Sequence, residues 1–244
     1  MPTKPKNLLI EIIGNVAAGK TTLAKKLAPK MKAKYLDIDL FVKNPFLPLS
    51  AHDRSRWIFT SHLFFSFDRS RQINRVKKQL QKTPVILDQG FQMGFFVYTR
   101  NAYQQKYMTA AEYKLLSAIH HSLMQPIPLP DLTIILLPTF RQIKNRIIQR
   151  NRDYEKKYSD DYVQGLNQQL EKYNINVTHY VHDDDSQSQS LFSLHFPSSI
   201  VLIDRLHKLR SFRRRFFKLI TDNKLKKSGV IEKLMKSLLF NKFK

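Results

Sequence analysis

The chain has 244 residues, 42% of them hydrophobic, enough to bury one sizeable core, so one domain with an appendage is expected. It has no cysteine, which excludes disulfides, thiolate-bound zinc and thiol catalysis and suits a reducing cytosol. The formal net charge of +23 implies a polyanionic partner or a compositional bias, and about half of it lies from Arg205 onward, where 14 Lys and Arg face Asp222 and Glu232 alone.

Residues Met1 to Lys6 run directly into the first strand without a signal-peptide core, and no apolar run is long enough to span a bilayer, so a soluble cytoplasmic protein is expected. Leu8 to Ile13 reads as a buried parallel strand. It is followed by Gly14-Asn15-Val16-Ala17-Ala18-Gly19-Lys20-Thr21, which matches the phosphate-loop pattern G-x-x-x-x-G-K-[ST], and by a helix from Thr22 onward. Lys34 to Asp39 reads as a second strand ending in carboxylates, and Asn44 to Pro48 as a turn-rich connection. Asp53 to Leu80 is a long helix whose bulky aromatics are read mainly as core or subunit interface.

Thr83 to Asp88 is the next strand, Gln89 to Gly94 a loop, and Phe95 to Gln125 further helix. After a proline-rich connector, Asp131 to Leu137 forms a fourth strand, Phe140 to Arg152 a helix with a basic face, and Ser159 to Tyr173 another amphipathic helix. His182 to Ser190 is low-complexity and reads as an exposed loop; Ser199 to Asp204 is a fifth strand. Alternating strands and helices predict a three-layer α/β/α sandwich of the P-loop type with about five parallel strands, spanning 1–205. A basic helical tail over 206–244 completes the chain.

The phosphate loop has a direct chemical reading. Its glycines let backbone N–H groups curl around a polyphosphate at a helix N-terminus. Lys20 would reach the β- and γ-phosphates, the hydroxyl of Thr21 would hold Mg²⁺, and Gly14 to Thr22 would form the nucleotide-binding segment. Arg146, Arg150 and Arg152 sit at i, i+4 and i+6 at a helix end. There, guanidinium forks suit phosphate oxygens and could form a closing lid.

These residues resemble the deoxynucleoside kinase family, whose loop typically reads GNIAAGKS. The likeness continues through Asn44-Pro45-Phe46-Leu47, Arg56-Trp57-x-Phe59, Asn101-Ala102-Tyr103 with Glu112-Tyr113, and the lid-like Arg146 to Glu155, covering roughly residues 8 to 205. The resemblance implies ATP- and Mg²⁺-dependent phosphorylation of a nucleoside 5′-hydroxyl, and a homodimer built through long helices. It implies Asp39 as the base, with Asp37 as the fallback, Asp88 beside Thr21 at the metal, and Glu155 toward the acceptor sugar or the base-side network. Trp57, His62, Asp88 and Gln89 fall on the acceptor side.

Departures from the family pattern gather on that side. The family's E/D-R-S becomes Asp88-Gln89-Gly90, the acid that follows is Gly94, the base-reading glutamine is His62, and the sugar-contacting tyrosine is Ala51. Altered or relaxed specificity is the expectation. Loss of those residues also admits an ATP-binding relative without nucleoside kinase activity that serves as a regulatory or partner subunit. The high charge admits a kinase acting on a nucleic-acid end. The tail itself admits contact with anionic lipid or nucleic acid, or packing on the core as a solvated helix. The His179 to Asp185 stretch lies in polar surroundings and is not read as a metal site.

Overall fold

The computed structural model describes residues 7–37, 44–124, 127–180, 192–195 and 200–204. Six strands form one sheet in the order β2-β3-β1-β4-β6-β5: β1 (Leu9–Gly14), β2 (Lys34–Asp37), β3 (Val85–Asp88), β4 (Leu132–Leu136), β5 (Phe192–His195) and β6 (Ile200–Asp204). β1 to β4 are mutually parallel, with Ile10 opposite Ile86 on one side and Leu132 on the other. The first helix, α1 (Lys20–Lys30), returns the chain from β1 to β2.

β1 is buried on both faces, as a central parallel strand must be, with Glu11 the one ionisable residue in an otherwise apolar run. Strand alternation divides its contacts. Ile10 and Ile12 pack with Ala24 and Leu27 of α1, whereas Leu9 packs with Ile73, Val76 and Leu80 of α3 (Arg54–Leu80). Ile13 joins Ile143 of α6 (Phe140–Arg150) and Leu166 and Leu170 of α8 (Asp160–Tyr180). The three-layer arrangement follows from these faces.

Several elements differ from the sequence reading. Ile200–Asp204 is a strand, but it runs antiparallel to β4, and β5 pairs antiparallel with it; apolar periodicity carries no information on strand direction. The connection after Asn44 contains a short helix, α2 (Phe46–His52), begun beside the Asn44 side chain, whose Oδ1 accepts from the Phe46 N–H at 3.0 Å. The helix expected from Phe95 starts as a π-helical stretch, Gly94–Thr99. It continues as α4 (Arg100–Gln104), breaks, and resumes as α5 (Ala110–Met124).

α3 begins where expected because the Asp53 carboxylate accepts from the Arg56 N–H at its first turn. A capping box between Thr139 and Gln142 starts α6. α6 ends at Asn151, whose φ of 54° is left-handed, so Arg152 leaves the helix and instead precedes α7 (Asp153–Lys156). The low-complexity loop at 182–190 and the basic tail beyond Asp204 lie outside the described residues.

Candidate active site

The C-terminal ends of β1, β3 and β4 surround the point where the strand order reverses, the usual place for a ligand crevice in an open parallel sheet. β1 delivers Gly14 there, and a Cβ at Gly14 would lie 2.7 Å from the Leu136 carbonyl oxygen, so the loop leaves the sheet through a space only glycine fits. Gly19, at φ 98°, turns the chain into α1.

The buried Asn15 fastens this loop to α8. Its Nδ2 donates to the Val163 carbonyl at 2.9 Å and to Asn167 Oδ1 at 2.7 Å, while its Oδ1 accepts from the Val16 N–H. Lys20 Nζ folds over the loop and donates to the Gly14 and Asn15 carbonyls at 3.0 and 2.9 Å. Arg146 reaches across from α6 and donates to the Ala18 carbonyl at 3.0 Å. Ala17 and Ala18 are buried, and Thr22 stands exposed on the first turn of α1. The loop residues, Lys20 and Arg146 are therefore brought together.

Thr21 donates its hydroxyl hydrogen to Asp88 Oδ2, which also accepts from the Tyr35 hydroxyl at 3.1 Å. Burial and the neighbouring Asp88 and Asp37 carboxylates push the Tyr35 phenol well above its ordinary value, so it remains a donor. The Thr21 hydroxyl and the Asp88 carboxylate are hard oxygen donors of the kind Mg²⁺ takes alongside water and phosphate oxygens, and the pair fits that ion.

In the segment from Arg146 to Glu155, Glu155 is buried and its Oε1 lies 3.4 Å from Arg150 and 3.3 Å from Arg152. Its other oxygen is buried without a hydrogen-bond partner. The helix break at Asn151 turns the two arginines onto one carboxylate from opposite sides of the bend. Of the three arginines read as one cluster, Arg150 and Arg152 thus meet at Glu155, while Arg146 reaches the phosphate loop instead.

Beside the loop lies a cavity of about 50 Å³ lined by Val16, His62, Arg69, Gln89, Thr99 and Tyr158, among others. Thr99 donates to the Gly94 carbonyl at 3.1 Å, so it must accept from His62 Nδ1, 2.8 Å away. That fixes the proton on Nδ1 and leaves Nε2 as an acceptor. Burial, then the positive charges of Arg69 and Arg54, lower the His62 pKa to about 3, so the ring is neutral at physiological pH. Gln89 has a left-handed φ of 71°, and its Oε1 is a buried acceptor without a partner.

The departures at Gly90 and Gly94 have a structural consequence. A Cβ at Gly90 would lie 2.0 Å from Glu11 Oε2, and one at Gly94 would lie 1.4 Å from Arg69 Nη1. Each glycine makes room for a charged side chain from another element: the buried Glu11, which accepts from Thr133, and the buried Arg69.

Trp57 does not line the cavity. It stacks on Phe46 with ring centroids 5.9 Å apart, as core-type packing predicts. Asp39 lies outside the described residues, and β2 closes at Asp37. Sequence reading missed Tyr35, Arg54, Arg69 and Tyr158. Arg69 follows His62 by seven residues, two helical turns on one face, and Tyr35 shares a strand face with Asp37, so both carried a signal. Arg54, whose guanidinium lies 3.9 Å from the Tyr162 ring centroid and 5.1 Å from that of Tyr158, joins elements distant in sequence and carried none. Among the described residues no cluster of His, Cys, Asp and Glu forms a separate metal site.

Comparison with known proteins agrees with this geometry. The chain matches the deoxynucleoside kinase family over residues 10–224. It is 30% identical over 184 residues to the deoxyadenosine/deoxycytidine kinase of Bacillus subtilis (strain 168), covering 69% of this chain and 77% of that one. It is 26% identical over 159 residues to the deoxyguanosine kinase of the same organism, covering 64% and 73%. Among solved structures, the deoxyadenosine kinase from M. mycoides with bound dATP superposes with a TM-score of 0.62 at 21% identity, covering 70% of this chain and 86% of that one, a likeness of fold. The chain belongs to the deoxynucleoside kinase family and is a nucleoside kinase-like phosphotransferase.

Proposed function

We propose that this protein transfers the γ-phosphoryl group of ATP, with Mg²⁺, to the 5′-hydroxyl of a deoxynucleoside. The observation that carries the reading is the convergence of Lys20, Arg146 and the Thr21–Asp88 pair on the phosphate loop, one wall of the cavity that holds His62 and Gln89. Phosphoryl transfer depends on positioning and on neutralising charge on the moving group. Lys20, Arg146, Arg150 and Arg152 supply the cations. Thr21 and Asp88 would hold Mg²⁺, which when bound neutralises phosphate charge.

We assign the proton acceptor to Asp39, the position the family resemblance gives it, because a hydroxyl acceptor needs a carboxylate to take its proton. The orphaned oxygen of Glu155 would accept from an acceptor sugar hydroxyl. His62 Nε2 and Gln89 Oε1 offer acceptors, and Arg69 a donor, to a nucleobase. A cavity of about 50 Å³ is far below the roughly 300–1,000 Å³ of small-molecule pockets, so its walls must move outward to admit a nucleoside. The arginine-bearing segment α6–α7 is the element we assign to that opening and closing.

The same reading includes a homodimer, a cytoplasmic location and a division of the chain at 205/206, with the family match running on to residue 224. Phe67 on α3 and Leu115 on α5 expose apolar area on adjacent helices, which supports association through them. No described helix is long and apolar enough to cross a membrane.

The test is transfer of labelled phosphate from ATP, with Mg²⁺, to the common deoxynucleosides, their monophosphates and a 5′-hydroxyl oligonucleotide. Transfer to a nucleoside is expected, and Asp39→Asn should lower kcat at least a hundredfold. ATP binding without transfer to any nucleoside would overturn the reading, and transfer to the oligonucleotide alone would replace it.

A further inference from the structure

Two segments carrying only positive charge meet at the opposite end of the sheet from the phosphate loop. Residues 25–34, the end of α1 and the turn after it, hold five lysines; residues 71–82, the end of α3 and its following turn, hold two arginines and three lysines. Neither contains a carboxylate, and all ten cations are exposed. The two residues that follow the second segment hold the first beside it: the Thr83 hydroxyl donates to the Lys32 carbonyl at 2.9 Å, and the Lys34 N–H donates to the Pro84 carbonyl at 2.8 Å. Among the described residues, Lys32, Lys34, Lys78 and Lys82 make no ion pair.

Helix dipoles favour cations in a last turn, which accounts for Lys30, Lys77 and Lys78. They do not account for Lys32, Lys34, Arg71, Arg75 or Lys82. Arg71, Arg75, Lys78 and Lys82 recur at i, i+4, i+7 and i+11, away from the buried face of Ile73, Val76 and Leu80. They span about 16 Å at helical rise, the length of roughly four or five phosphates along one strand of a duplex. A groove of about 360 Å³ follows this stripe, lined by Asn74, Arg75, Lys78, Gln79 and Lys82.

We propose that this face binds the backbone of a nucleic-acid strand. Lysines and arginines take the phosphates, and the Asn74 and Gln79 amides can donate to and accept from sugars and base edges. A lipid surface is disfavoured because a helix lying on a bilayer inserts its apolar face, whereas the apolar face of α3 is buried in the core. The face sits at the N-terminal ends of β2 and β3, and the phosphate loop at the C-terminal end of β1. A bound strand therefore leaves the nucleotide site open. The inference stands apart from the basic tail and from the identity of the nucleoside acceptor.

The test uses the full chain and a fluorescently labelled 20-nucleotide RNA, with anisotropy read between 50 and 200 mM salt. Binding should weaken steeply with salt. The K32E/K78E/K82E variant should bind at least tenfold more weakly at intermediate salt, with a log–log slope shallower by about 2, at roughly 0.7 per lost single-strand phosphate contact. Its thermal melting and nucleoside phosphorylation should match the wild type. K32Q/K78Q/K82Q should give an intermediate loss and decides the matter if charge reversal disturbs folding. Equal RNA binding by wild type and variants, or RNA binding that salt does not weaken, overturns the proposal. So does a variant that loses retention on phosphatidylserine vesicles while keeping its RNA affinity.

Discussion

At the scale of single residues, the cavity beside the phosphate loop is shaped by absent side chains as much as by present ones. Gly94 lets the Arg69 guanidinium lie where a Cβ would come within 1.4 Å of Nη1. The Arg69 charge is then one reason, after burial, that His62 stays neutral and offers Nε2 as an acceptor. Gly94→Ala must displace the guanidinium, because the backbone there is anchored by the Thr99 hydroxyl bond to the Gly94 carbonyl. The nucleoside KM should rise about tenfold, the scale of one lost charged hydrogen bond at about 1.5 kcal/mol. The KM for ATP should stay within twofold, because the phosphate loop's bonds to Lys20 and Arg146 come from α1 and α6 and not from the stretch that carries Gly94. Steady-state kinetics with each substrate varied in turn would measure both. Equal rises in the two would show that the change acts on the fold and not on acceptor reading.

At the scale of elements, the site depends on how the phosphate loop and the arginine segment are held. Asn15 ties the loop to α8 through two donated bonds while its oxygen shapes the turn at Val16. Asn15→Ala leaves the Val163 carbonyl and Asn167 Oδ1 without that donor, and should cost on the order of 2 kcal/mol in chemical denaturation. Asn15→Asp sets a carboxylate against those same acceptors and should cost more. ATP affinity should fall in both, because loop and helix would no longer move as one body. The phosphate loop was legible in the sequence because its chemistry is contiguous: strand, glycines, Lys20, Thr21 and helix follow one another. The bend at Asn151 was not foreseen, although Asn is a residue that tolerates the left-handed conformation at a helix end. Reading Phe140 to Arg152 as one helix therefore put the three arginines on a single cylinder, where the structure has Arg150 and Arg152 converging on Glu155 across a break.

At the scale of the whole molecule, the parallel core was legible because β1, β3 and β4 are short, largely apolar runs bounded by turn residues, with helical periodicity between. The direction of β6 was not, since pairing partners decide it. The cavity was not either, because its walls come from α2, α3, the π-helical stretch and the region between α7 and α8, and no local pattern records that meeting. One consequence of that assembly is global. His62 and His120 are both buried, near each other's elements and near Arg69. His120 is bonded to Gln92 Oε1 and stacked 4.8 Å from the Phe95 ring centroid. Burial, then the Arg69 charge, lowers the His120 pKa to about 4, against about 3 for His62. In the unfolded chain both titrate near 6.5. Between about pH 6.5 and their folded values, the unfolded chain binds protons that the folded chain excludes, so stability must fall as pH is lowered through that window. Each histidine contributes a slope of about 1 kcal/mol per pH unit. Urea denaturation at pH 7, 6 and 5 should therefore show a steepening loss, and His62→Gln with His120→Gln should flatten it whatever their stability at pH 7. An unchanged slope in the double variant would mean that carboxylates alone set the acid sensitivity, and that the two rings are accessible to protons in the folded protein.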